Sequence, residues 1–234
     1  NTGNLFGDLI TYSNSASTEC TSLTIGQTYY IKATPLIYTT TGTFEIGYTV
    51  TSGEPGTLEA MESAVTLTID EWKNGFVSTT GEEQWYKFEA TNTSHYVHFK
   101  EDGVGQVYIQ LYNASANKVD TQAILDDSRT SKEYNSLTTG QTYYIKVTPR
   151  YDFDRGSFQI SCTETIAEPG VLTAMETAIS LTVDEWTDGN IPDEDGEQWF
   201  SFAATANSHY VHFKHDELSE VYFQLYDATG TKIG

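Results

Sequence analysis

Gly26-Gln27-Thr28-Tyr29-Tyr30-Ile31-Lys32-Ala33-Thr34-Pro35 returns as Gly140-Gln141-Thr142-Tyr143-Tyr144-Ile145-Lys146-Val147-Thr148-Pro149, with one change in ten positions. In the second copy Tyr143, Ile145 and Val147 alternate with Tyr144, Lys146 and Thr148, the period of a strand with one dry face and one wet face. The offset, 140 − 26 = 114 residues, holds along the chain. Glu54 to Trp72 returns as Glu168 to Trp186 with 13 of 19 positions identical, and Ser94 to Lys100 returns unchanged as Ser208 to Lys214. Val107 to Tyr112 becomes Val221 to Tyr226 with one change. A repeat of 114 residues is the size of a domain rather than of a solenoid unit.

The same alternation recurs elsewhere in the complete copy. Val107, Ile109 and Leu111 alternate with Tyr108, Gln110 and Tyr112, and Phe158, Ile160 and Cys162 with Gln159 and Ser161. Tyr86 and Phe88 share one face, Val97 and Phe99 another. Turn signals at Thr139-Gly140 and Arg155-Gly156 separate these runs. About seven or eight strands in a domain of this length predict an antiparallel β-sandwich. Leu58 to Val65 predicts one or two helical turns. The seams are the Pro/Gly turns Thr51–Gly56 and Thr165–Gly170. Cut there, residues 1–52 read as the C-terminal half of one sandwich, 53–166 as a whole one and 167–234 as the N-terminal half of a third. The fold class expected is all-β, with tandem antiparallel β-sandwich domains of 114 residues.

Among 234 residues, 12 Lys and Arg face 33 Asp and Glu, a net charge of −21. Nucleic-acid binding needs a Lys/Arg footprint that this balance excludes, and anionic membrane surfaces repel it. No stretch approaches the roughly 18 apolar residues of a spanning helix, so no membrane insertion is expected. Asn1 reads as the start of a processed chain. The wealth of Thr, Ser, Tyr and Gly suits a β-protein with an acidic, hydroxyl-rich surface, of the kind found outside cells.

Five blocks follow one another in the complete copy: Gln84-Trp85-Tyr86-Lys87-Phe88, Val107 to Asn113, Ser136-Leu137, Gly140 to Val147, and Gly156 to Ile160. That order resembles the bacterial pre-peptidase C-terminal domain, with its W-Y-x-F, D-L-Y-L-Y-D, L-x-x-G-x-Y-Y-I-x-V and G-x-Y-x-L blocks. The resemblance covers essentially the whole 114-residue unit. It implies a jelly-roll-like sandwich, secretion, and a non-catalytic accessory or surface role. The sequence departs from the family at the last acidic position of the second block, which is Asn113 in the middle copy and Asp227 in the final one. That departure counts against a metal role there.

Candidate chemistry is sparse. His95/His98 and His209/His212 have metal-like spacing, but positions three apart on a strand point to opposite faces and cannot converge. One histidine of each pair is expected beside Val97 and Phe99, the other outward with Tyr96. Calcium is the stronger metal candidate, because Asp184, Glu185, Asp188, Asp193, Glu194, Asp195 and Glu197 crowd one region. The adjacent pair Asp184/Glu185 recurs as Asp70/Glu71 in the earlier copy, and two carboxylates fall short of six to eight oxygens. No cofactor is expected, and among metals calcium has the stronger claim. Cys20 and Cys162 replace tyrosines at different repeat positions, so they form no domain staple, and Cys162 falls in phase with buried Phe158 and Ile160. No nucleophile elbow, phosphate loop or zincin helix occurs, and no enzyme is expected. Tyr96, Tyr108, Tyr112 and Tyr144 alternate outward, with counterparts at Tyr210, Tyr222, Tyr226 and Tyr30. They read either as cross-strand sheet stabilisers or as a contact surface for a host matrix protein such as collagen, or a glycan.

Two functional readings result. Half a sandwich exposes its core and its strand edges, so each half needs completion: either residues 1–52 fold back onto 167–234 of the same chain, or one unit completes the next, and a head-to-tail contact that does not close gives a filament. The first reading is a structural repeat of a secreted bacterial filament or giant cell-surface protein, whose main partner is itself. The second is a collagen- or polysaccharide-binding accessory module of a secreted hydrolase.

Overall fold

The computed structural model describes residues 19–33, 43–78, 81–191, 196–214 and 221–233. The acidic residues Asp193, Glu194 and Asp195 lie outside them.

The middle copy opens at the Pro55-Gly56 turn, where Gly56 takes a φ of 87° that a side chain would strain. There follow α1 (Thr57–Glu62), which buries Thr57 and Met61, and β1 (Val65–Thr66). Seven longer or edge strands come next: β2 (Lys73–Val77), β3 (Gln84–Glu89), β4 (His95–Asp102), β5 (Val107–Asn113), β6 (Ala123–Leu125), β7 (Ser131–Tyr134) and β8 (Thr142–Pro149). β9 (Gly156–Thr163) closes the unit. One sheet has the order β1-β3-β8-β5-β6, the other β2-β9-β4-β7. Pairing is antiparallel throughout except between β1 and β3. From β2 onward the chain changes sheet at every step but the β5–β6 hairpin. Such alternation lets each strand place its apolar face toward the other sheet. The edges are short, which limits stray pairing.

One core lies between the sheets. Phe88, Ile109, Leu111, Ile145 and Val147 from the first sheet meet Val97, Phe99, Phe158, Ile160 and Cys162 from the second. Tyr86 and Phe158 touch edge to face across the gap, with ring centroids 6.2 Å apart. The expected alternation therefore holds, and the middle copy is an all-β sandwich. Gly75 admits the Phe158 ring, since a Cβ there would lie 2.3 Å from the ring's Cζ.

A second, smaller apolar cluster was not expected. Met61 and Ala64 pack with Trp85, Tyr112 and Ala116 on the outer face of the first sheet. Alternation places Tyr112 on the outer face, where it does lie, but Met61 of α1 covers it there, so it is buried rather than exposed and lies 5.3 Å from Trp85. His98 is corrected in the same way. It does share the Tyr96 face, but the segment joining β1 to β2 runs alongside β9, where Asp70 N–H donates to Cys162 O at 3.0 Å. Trp72, on the same segment, lies edge-on to His98, and the imidazole is buried.

The flanks repeat the local geometry but not the burial. α2 (Val171–Glu176) stands where α1 does in the repeat, after Gly170 with φ 84°. β10 (Ile179–Ser180) pairs parallel with β11 (Phe200–Ser201), as β1 pairs with β3. β12 (Leu225–Tyr226) pairs with β13 (Lys232–Ile233), mirroring the bridge from Tyr112 to Lys118. Trp199 meets Tyr226 at 5.0 Å as Trp85 meets Tyr112. On the N-terminal side, Tyr29 Oη accepts Thr24 N–H at 2.8 Å, matching Tyr143 and Thr138 at 2.9 Å. Yet none of the described residues within 19–50 is in a helix or strand, and all are exposed.

Candidate interaction surfaces

The sequence-predicted tyrosines divide into three groups. Tyr96, Tyr108 and Tyr144 are half-buried on strands, Tyr112 is inside the second cluster, and Tyr226 is half-buried beside Trp199. Tyr210 and Tyr222 are each 85% exposed. Tyr96 stacks on His98 at 6.4 Å and Tyr210 on His212 at 6.5 Å. Tyr108, Tyr112 and Tyr144 belong to the first sheet and Tyr96 to the second, and Met61 and Ala64 pack on Tyr112.

The recurrent acids have a local explanation. Asp70 and Asp184 carry φ values of 64° and 61°, a left-handed turn position that Asp tolerates better than most residues. Glu71 N–H donates to Thr68 O and Glu185 N–H to Thr182 O, both at 3.3 Å. All four side chains are exposed. Among the described residues no group of three or more His, Cys, Asp or Glu could hold a metal ion.

His95 sits inside the sandwich end. Its Nε2 accepts the backbone N–H groups of Thr91 and Asn92, each at 3.1 Å, and its Nδ1 faces Thr163 O at 3.2 Å. That arrangement requires the Nδ1–H tautomer, a neutral ring fixed at both nitrogens. His98 Nε2 faces Thr163 Oγ1 at 2.7 Å, and that hydroxyl donates onward to Thr165 O. Burial lowers the pKa of both histidines below the usual imidazole range. Sequence reasoning missed one proximity: Cys162 Sγ lies 3.7 Å from His95 Nδ1. It is no nucleophile–base pair, because burial pushes the thiol pKa well up and both imidazole nitrogens already hold backbone partners. Cys20 is exposed, and both cysteines are free thiols.

Among the described residues, most of the exposed large apolar side chains belong to the flanks. Ile31 is 72% exposed and Phe44 70%, whereas their repeat counterparts Ile145 and Phe158 are buried. On the C-terminal side Val211, Phe213, Phe223 and Leu225 are exposed, whereas Val97, Phe99, Ile109 and Leu111 are core. Only the alternation of the repeat could have located these residues, and it did so by their counterparts. No helix among the described residues is long and apolar enough to cross a membrane.

No family model matches this chain, and no curated protein matches it. Among solved structures it is similar to the pre-peptidase C-terminal domain of a collagenase from Bacillus anthracis. The identity is 17%, the alignment covers 43% of this chain and 94% of that one, and the TM-score is 0.35.

Proposed function

We propose that this chain is a non-catalytic structural repeat of a secreted bacterial filament or giant surface protein. In it, each flanking half-sandwich is completed by a neighbouring unit. One observation carries the reading. Side chains that build the core of the middle copy recur 114 residues away on both sides with their apolar surface in water. Burying each such side chain is worth about 1.5–3 kcal/mol, so leaving several exposed is stable only when something covers them. In the middle copy β8 and β9 are the inner strands of the two sheets, each hydrogen-bonded to a neighbour on both sides. The net charge of −21 favours solubility and repels nucleic acid and anionic lipid, in keeping with an extracellular setting.

Electron microscopy of the purified chain tests the reading. Beaded linear assemblies are expected. Single particles retained on collagen or polysaccharide, through exposed tyrosines such as Tyr210 and Tyr222, would replace it with an accessory binding module.

A further inference from the structure

The route out of the middle sandwich is short. β9 ends at Thr163, which is fully buried, and Ala167 is 2% exposed, with three residues between them. Four Cα-to-Cα steps reach about 14 Å at most, so whatever buries Ala167 stands close to the end of β9. It is the copy that follows. A Cβ on Gly230, in the turn between β12 and β13, would lie 2.6 Å from Ala167 Cβ and 3.1 Å from Leu172 of α2. The residues between are held as well. Thr91 Oγ1 donates to the Glu164 carboxylate, and Thr163 Oγ1 donates to Thr165 O. On the far side Lys232 Nζ donates to Glu168 Oε1 at 2.8 Å. Both of those charges act on His98, beside the outer face of the second sheet.

The strap that enters the middle copy is built alike. Thr49 and Thr51 are the counterparts of Thr163 and Thr165, and Thr49 Oγ1 donates to Thr51 O at 2.6 Å. Ser52 N–H then donates to Asn117 Oδ1 at 3.1 Å, and Lys118 N–H to Ser52 Oγ at 2.6 Å. Gly53 is buried, and a Cβ there would lie 2.6 Å from Ala116 O. Gly53 and Ala116 are the counterparts of Ala167 and Gly230, with the two residue types exchanged. Each joint therefore carries one methyl group where it has no room for a second. Close packing imposes that exchange on facing positions, whereas a slack linker would limit neither.

The turn that receives each strap is also the same. Ala116 N–H donates to Asn113 O and Asn113 N–H to Asn117 O, as Gly230 N–H donates to Asp227 O and Asp227 N–H to Thr231 O. Asn113 Oδ1 accepts Asn117 N–H at 3.0 Å, and Asp227 Oδ1 accepts Thr231 N–H at 3.0 Å. Asn and Asp close the turn equally because either side chain supplies the accepting oxygen. We propose that this turn, after β5 in the middle copy and after β12 in the following one, is a docking seat for the strap leaving the preceding copy. Its partner is the neighbouring copy in the same chain, and successive copies are coupled as a stiff joint. The joint forms whether or not chains assemble with one another.

Spin-label distances on the 234-residue chain test the proposal. Cys20→Ser removes the exposed thiol and Cys162 is buried, so Glu89→Cys on β3 and Thr173→Cys on α2, both exposed positions, take the labels. A single narrow distance distribution is expected in dilute protein. Ala167→Gln, which drives a long side chain against Gly230, should broaden it several-fold, and should speed cleavage after Glu164 and Glu168 by a Glu-specific protease several-fold. Melting of the middle sandwich, followed by Trp85 emission, checks that this variant folds. A broad distribution in the parent would overturn the joint, as would a distribution or a cleavage rate that Ala167→Gln leaves unchanged. Linear assemblies seen by microscopy alongside a broad distribution would refute the joint and leave the structural reading standing. A narrow distribution without assemblies would refute the structural reading and leave the joint.

Discussion

Ile145→Ala and Ile31→Ala change the same residue in nearly the same sequence, and they should differ several-fold in cost. Ile145 is fully buried between the sheets. The substitution removes three carbons, worth about 0.8 kcal/mol each in transfer free energy, or about 2.4 kcal/mol. The cavity left behind raises this to about 3–4 kcal/mol, within the range for buried Ile→Ala. Ile31 is 72% exposed, so roughly a quarter of the transfer part remains and no cavity forms, leaving about 0.7 kcal/mol at most. Urea unfolding of dilute protein, followed by tryptophan emission, measures both. Buried Trp85 reports the middle sandwich, whereas Trp186 is exposed and contributes little cooperative change. Dilution matters, since association would bury Ile31. Equal losses in the two variants would refute the reasoning, because the N-terminal segment would then be packed within the single chain.

The remaining predictions address other features of the fold. Gly75→Ala should destabilise the sandwich by about 2 kcal/mol or more, because its Cβ would fall 2.3 Å from both Phe158 Cζ and Tyr86 Oη; a melt unchanged from the parent would contradict the packing. His95 and His98 have lowered pKa values, so below the unfolded imidazole value of about 6.5 the unfolded chain binds more protons. Stability should therefore be full above that pH and decline as pH falls through it, and His95→Gln/His98→Gln should flatten the pH dependence of the melting temperature. Thiol titration of the native chain should count one fast-reacting group, Cys20, with Cys162 appearing only after denaturation; two fast thiols would contradict the burial of Cys162.

Much of the middle sandwich was legible in the sequence because strand alternation is a short-range signal. Val107, Ile109 and Leu111, or Phe158, Ile160 and Cys162, declare their dry face by period two, and all six are buried. The opposite face was not legible for Tyr112 and His98. Alternation says which side a residue takes, and only the path of α1 and the β1–β2 segment says whether that side is covered. The recurrence of Asp70/Glu71 was visible, but its meaning depended on a backbone angle, φ 64° at Asp70, that composition does not display. The approach of Cys162 to His95 joins residues 67 apart and left no trace in spacing.

The sequence by itself determined the repeat, its phase and the local turns. Gly26 and Gly140 take φ 85° and 81°, Ser22 and Ser136 both 62°, and Gly56 and Gly170 87° and 84°, because such geometry is set by neighbours a few residues away. Tertiary structure alone decided which copies of those same residues are buried. Burial needs the inner strands β8 and β9, which come last in each unit and must reach back past dozens of residues to join the sheets. Where they are in place, Ile145 is core; where their counterparts stand apart from the strands they would join, Ile31 is surface.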